Sequence, residues 1–241
     1  MNIVADVIGR TMQTENETTV TIAARDGSFQ AYRAMPATTP ATGVILIAPI
    51  FGVTESMRNI GDRYAQRGFL ALVPDPFWRL HAGPLSPEER PAAQARGKTV
   101  AEGDVMDDIA MSIQSLRAMP ECNGTIALAG YCFGGKYAFL AAARGMVGAA
   151  AAFHGTQIGK VIGEAVNLTV PLSLHFGDQD TIATMDEVRA IQAALAAKPA
   201  AEVFVYNDVG HGFTQTDSHG FDAAATAASE RRVVDVFAAL P

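Results

Sequence analysis

The chain predicts an α/β fold: a mostly parallel central sheet flanked by helices on both faces, with an N-terminal antiparallel hairpin. Three observations carry that expectation. Short apolar runs such as GVILIAPI (43–50) and FLALVPD (69–75) lack polar alternation, as suits strands covered on both faces. Stretches with apolar residues at helical spacing alternate with those runs. Residues 18–35, by contrast, alternate apolar and polar on either side of Asp26-Gly27, a dipeptide that accepts positive φ at a tight turn and so reads as a hairpin.

The elements follow in order. After the hairpin and the loop PATTPATG, strand 43–50 leads into a helix with Met57, Ile60 and Tyr64 on one side and Gly68 as its stop. Strand 69–75 comes next. Residues 76–102, rich in Pro, Arg and Ala, are expected to be irregular structure plus a short helix over one end of the sheet. A helix over 103–119 places Ile109, Ile113 and Leu116 on one face, with Asp104, Asp107 and Asp108 near the N-terminus, where the helix dipole favours negative charge. TIALAG (125–130) and a helix from about Phe133 to Arg144 make a strand, a sharp turn and a helix. Strands at 146–154, 170–177 and 202–208 and helices at 184–197 and about 219–240 complete the pattern, the last with Val233, Val234, Phe237 and Leu240 at helical spacing. At 241 residues the chain is expected to be one domain over 1–241, since α/β folds run past 200 residues undivided.

Composition excludes several function classes. A net charge of −7 and a pI near 5.2 repel nucleic acid and anionic membranes as bulk partners, and no Lys/Arg run supplies a local basic patch. MNIVADVIGRTMQTENETT lacks the basic start and long apolar segment of a secretory signal, and no stretch approaches the length of a membrane span, so a cytoplasmic location is expected. Cys122 and Cys132 are too few for a disulfide framework and too far apart for a C-x-x-C motif.

Chemistry concentrates in ALAGYCFGGKYAFLAA (127–142). Gly130-Tyr131-Cys132-Phe133-Gly134 has the form of a nucleophile elbow with a thiol in place of the usual hydroxyl, and it lies between a strand and a helix, as an elbow requires. Gly130 to Lys136 also spells most of a phosphate-binding loop, but Tyr137 stands where Ser or Thr would hold Mg²⁺. Lys136 then reads as an exposed residue of the first helical turn.

Two further residues complete a reactive set. The strand after the elbow's neighbour ends in HFGDQD, with Asp180 beyond it, and DVGHGF puts His211 in the loop after the following strand. Each of the three follows a strand, so all should lie at the carboxyl edge of the sheet, where ligands of such folds bind. Nucleophile, acid, histidine is also the chain order of the α/β-hydrolase triad. His211 can accept the thiol proton and pass it to a leaving alkoxide, while Asp180 fixes the ring tautomer. The backbone N–H groups of Phe133 and Ile50 are the expected oxyanion donors. Asp178 competes with Asp180, and Asp180 is preferred because it sits farther into the loop. His154 and His175 lie within apolar strands and read as core or rim residues; His81 and His219 lack supporting context. Cys122 reads as a small buried residue. No metal site is expected.

On these motifs the sequence resembles the dienelactone hydrolase family, cysteine hydrolases on the α/β-hydrolase fold. The resemblance runs through IFGVTESMRNIGDRYAQRGFLALVPD, GYCFGG, FGDQD, GHGF and SERRVVDVF. It implies Cys132, Asp180 and His211 as nucleophile, acid and base, Ile50 and Phe133 as the oxyanion hole, and hydrolysis of an ester or lactone through an acyl-thiol intermediate. No cofactor is implied; the expected partner is the small-molecule substrate, and monomer is the default. Two positions depart from the family pattern. Members that act on dienelactone carry a glutamate immediately before IFGV, which helps activate the thiol; here that position is Pro49, leaving His211 to activate Cys132 directly or Glu55 to substitute. They also use two arginines for the substrate carboxylate; Arg79 matches the first, and Gln215 stands at the second. Phe51, Phe77, Trp78 and Phe213 can line an apolar acyl pocket or belong to the core. A dienelactone is the leading substrate, with a small neutral ester next; an inactive ligand-binding member is the remaining alternative.

Overall fold

The computed structural model describes residues 18–241. Its strands are β1 (Thr19–Ala24), β2 (Gly27–Ala34), β3 (Ala41–Ile47), β4 (Leu70–Pro74), β5 (Cys122–Tyr131), β6 (Ala149–Phe153), β7 (Leu172–Gly177) and β8 (Ala201–Tyr206). The helices are α1 (Glu55–Gln66), α2 (Arg90–Thr99), α3 (Glu102–Arg117), α4 (Phe133–Ala143), α5 (Met185–Leu195) and α6 (Ala223–Ala238). The strands form one sheet in the order β1-β2-β4-β3-β5-β6-β7-β8. β2 runs antiparallel to both its neighbours and every other pair is parallel.

The unbroken apolar runs have the expected cause. In β3, Val44 and Leu46 join the layer that holds Met57 and Ile60 of α1 and Val233 and Phe237 of α6. Ile45 and Ile47 face the opposite layer, with Ile109 of α3, Phe139 of α4 and Ile191 of α5. Both faces of the strand are therefore dry from Val44 to Ile47, and no polar residue stands there at either parity. α1 begins where Thr54 accepts from the Met57 N–H, and it stops at Gly68, whose φ of 91° favours glycine.

Several strand ends differ from the sequence expectation: β3, expected over 43–50, ends at Ile47, and β6, expected from 146, begins at Ala149. Two further differences have a visible cause. The hairpin turn is Arg25-Asp26, because Gly27 already pairs with Ala24; the glycine is needed for space, since a Cβ there would meet the Trp78 ring at 2.9 Å. The last helix starts at Ala223 rather than near 219, because the Asp222 carboxylate caps it by accepting from the Ala225 N–H. Glu230 of α6, 1% exposed, is gripped by Arg63 and Arg67 at 2.6 and 2.8 Å, which ties α6 to α1.

Candidate active site

β5 ends at Tyr131 and α4 begins at Phe133, which leaves Cys132 alone at the corner with φ 51° and ψ −110°. A non-glycine residue in that conformation costs on the order of 1–3 kcal/mol and persists only where its surroundings hold it. Here they do. The Cys132 N–H donates to the Phe153 carbonyl of β6, and the Cys132 carbonyl accepts from the N–H groups of Gly135 and Thr156, all at 3.0 Å. The corner also requires glycines: a Cβ on Gly130 would run into the Gly134 carbonyl, and one on Gly134 into the Ile47 carbonyl of β3.

Asp180 lies in the loop after β7, its side chain fully enclosed. One carboxylate oxygen accepts from the N–H groups of Ile182 and Ala183 at 2.7 and 2.9 Å. The other meets Nδ1 of His211 at 2.7 Å. Asp178 instead accepts from the Gln179 side-chain amide, so Asp180 is the aspartate that faces the histidine. Nε2 of His211 is buried and makes no hydrogen bond of ordinary geometry. Burial alone would push this ring down. The Asp180 hydrogen bond and then the interaction with Cys132 outweigh it and raise His211 above the ordinary histidine value, to about 10.

The loop after β3 is a turn in which the Gly52 N–H donates to the Pro49 carbonyl at 2.9 Å. Ile50 and Phe51 occupy its middle. Among the described residues, the N–H groups of Ile50 and Phe133 make no turn or loop hydrogen bond to a backbone carbonyl. That of Phe133 opens a helix, where such donors stand unpaired.

The residues expected to bind substrate have diverse surroundings. Arg79 is held by two carboxylates, Asp26 at 2.8 Å and Asp108 at 2.6 Å, and lies over the Trp78 ring. Trp78 donates its indole N–H to Asp108 and stacks on Phe29. Phe51 is half-buried under the Arg90 guanidinium. Phe213 is fully buried against His154, and Gln215 is buried. Phe77 packs against Phe133, the ring centroids 5.0 Å apart. Glu55 is exposed in the first turn of α1 and faces a groove with Arg58, Asn59 and Asp62. Lys136 is paired with Glu102 at 3.1 Å.

Two neighbours of the site escaped the sequence reading. His154 sits edge-on to His211, the ring centroids 4.9 Å apart, and pairs with Thr214. Burial, then the charge of His211, keeps it well below the ordinary histidine value and neutral. Arg96 of α2, 4% exposed, reaches the Ile50 carbonyl from outside the sheet. Neither carries a motif; only the chain's return through space brings them here. His175, by contrast, is the core residue expected, held between Ser173 and Tyr206 and pushed down to about 3 by burial. Cys122 is half-buried at the start of β5. No cluster of described residues could hold a metal ion, and none of their helices is long and apolar enough to cross a membrane.

The sheet order, the helices on both faces and the strained corner between β5 and α4 make this an α/β-hydrolase fold. The dienelactone hydrolase family model matches residues 29–240, and the chain belongs to that family, whose members are hydrolases of ester and lactone bonds. The carboxymethylenebutenolidase of Pseudomonas putida is 31% identical over 226 residues, covering 92% of this chain and 96% of the relative. Carboxymethylenebutenolidase 1 of Cupriavidus pinatubonensis is 31% identical over 220 residues, covering 89% and 93%. A solved candidate dienelactone hydrolase from Klebsiella pneumoniae superposes with a TM-score of 0.82 at 25% identity, covering 92% of this chain and 97% of that one. The fold is shared as well by a dienelactone hydrolase-like promiscuous phosphotriesterase from metagenomic libraries, with TM-score 0.79, 21% identity and coverages of 92% and 97%.

Proposed function

We propose that this protein hydrolyses a carboxylic ester or lactone with Cys132 as nucleophile, His211 as proton carrier and Asp180 as the group that orients it. The observation that carries the reading is the pairing of a strained Cys132 corner with an Asp180-anchored His211 whose Nε2 is otherwise unpartnered. As the Cys132 proton passes to His211 the sulfur attacks: a C–S bond forms and the carbonyl π pair moves to oxygen, where the N–H groups of Ile50 and Phe133 receive it. Collapse breaks the C–O bond, and His211 gives its proton to the departing alkoxide, which in a lactone stays tethered to the acyl group. Water then loses a proton to His211 and attacks the thioester carbon; the C–S bond breaks and the acid leaves. No glutamate is needed ahead of the turn, consistent with Pro49 there and with Glu55 facing a groove on α1.

A dienelactone is the leading substrate, supported by the carboxymethylenebutenolidase relatives. One observation favours a neutral ester instead: the Arg79 charge is already met by Asp26 and Asp108, and Gln215 carries none. Steady-state rates on dienelactone and on a neutral phenyl ester, for wild type and Cys132→Ala, test both. Activity lost in the variant is expected, and the faster substrate identifies the class; equal activity in the variant would overturn the Cys132 assignment.

A further inference from the structure

Arg96 is a charged residue, almost entirely buried, whose hydrogen bonds all go to backbone carbonyls. Its Nε donates to Ile50 at 2.8 Å and its Nη1 to His81 and Gly83 at 2.9 Å each. Nη2 is buried without a partner, and a Cβ on Gly52 would meet it at 2.9 Å. The guanidinium lies over the Phe77 ring, 4.4 Å from its centroid. The next residue of α2, Gly97, presses on the same target: a Cβ there would meet the Ile50 side chain at 2.7 Å.

The Ile50 carbonyl belongs to the central peptide of the Pro49–Gly52 turn. Rotation of that peptide is what separates type I from type II turns, and it swings the carbonyl from one side to the other with little change elsewhere. A carbonyl oxygen turned toward a developing oxyanion would repel it, at the point where a donor is worth about 10²–10³ in rate. The Gly52 to Pro49 hydrogen bond holds the ends of the turn. Among the described residues, the only side-chain hydrogen bond to its central carbonyl comes from Arg96.

We infer that Arg96 is a positioning residue for the oxyanion loop, an inference that rests on the proposed Cys132 hydrolysis: it holds the Ile50 carbonyl against α2 and so prevents the peptide flip that would bring this oxygen round beside the Ile50 N–H and the reacting oxygen. Lysine cannot replace it, because one point donor does not span three carbonyls on two segments.

The test compares wild type, Arg96→Ala and Arg96→Lys for kcat and KM on a phenyl ester, and for the rate of Cys132 alkylation by iodoacetamide across pH. Alkylation needs the thiolate but no oxyanion hole. Arg96→Ala is expected to lose about 100-fold in kcat, with KM and the alkylation profile unchanged. Guanidinium ion at a non-denaturing concentration should restore part of the loss, and Arg96→Lys should not. Wild-type kcat in Arg96→Ala, or a parallel loss of kcat and alkylation, would overturn the inference. Should Arg96→Ala fail to fold, Arg96→Lys decides it: lower kcat at unchanged KM and alkylation supports the clamp, and wild-type kcat refutes it. Failure of the underlying reading looks different, since wild-type Cys132 would then resist alkylation or Cys132→Ala would retain activity.

Discussion

Asp180 divides its two carboxylate oxygens between tasks: one is anchored by the N–H groups of Ile182 and Ala183, and the other meets Nδ1 of His211 at 2.7 Å. The loop thus aims the carboxylate before the histidine arrives. Asp180→Asn would keep the shape and present an amide that can donate to Nδ1, leaving the ring in the wrong tautomer. We expect kcat to fall about 10²–10⁴-fold with the melting temperature little changed. Near-wild-type turnover would mean that Asp180 is only a loop anchor.

The His211 ring should titrate far above an ordinary histidine. Its pKa of about 10 lies above the unfolded value of 6.5, so the stabilisation from its ion pairing is complete below pH 6.5 and is lost as pH rises through about 10. Nitrogen chemical shifts of the labelled ring should show imidazolium persisting past pH 8. Asp180→Asn should lower the midpoint more than Cys132→Ala does, following the order in which those groups hold the proton. A wild-type midpoint near 6.5 would contradict the charged pair.

Glycine substitutions should separate the corner from the surface. In Gly134→Ala the new methyl runs into the Ile47 backbone carbonyl, which cannot move without displacing β3. A loss of about 1–3 kcal/mol is expected on chemical denaturation, with slower alkylation of Cys132. Gly103→Ala, exposed in α3 with nothing within 4 Å of the new atom, should instead stabilise by roughly 0.5–1 kcal/mol.

Arg79 tests the charge of the substrate. Because Asp26 and Asp108 already hold its guanidinium, Arg79→Met is expected to lower the melting temperature by unpinning the hairpin tip from α3. The ratio of dienelactone to phenyl ester rates should change less than tenfold. A selective collapse of the dienelactone rate would show that the arginine leaves its partners to bind a carboxylate.

Glu230 should matter for stability alone. It is enclosed between Arg63 and Arg67, and among the described residues it makes no hydrogen bond to Cys132, Asp180 or His211. Glu230→Ala leaves both cations facing the buried gap, at a cost of about 3 kcal/mol. The expected outcome is a lower denaturation midpoint with kcat unchanged in the protein that remains folded.

Much of this molecule is written locally. β4 is apolar at every position, and so is β3 from Gly43 to Ile47, because both faces are covered; their runs stand out in the sequence, and Gly68 marks the end of α1 by its backbone freedom. The glycines around Cys132 are legible for a related reason: the corner has no room for side chains, and that restricts residue type at fixed spacing. The choice of Asp180 over Asp178 was also available, from position in the loop. What the sequence could not determine is which charges find each other across the fold. Arg79 matches a substrate arginine by motif, yet its partners come from the hairpin tip and from α3, far away in the chain. Arg96 carries no motif at all and reaches the Ile50 carbonyl only because α2 folds back over the β3 end of the sheet. Covering a strand or turning a corner constrains residue type position by position; pairing of long, flexible charged side chains depends on where distant segments meet, and tertiary structure alone decides that.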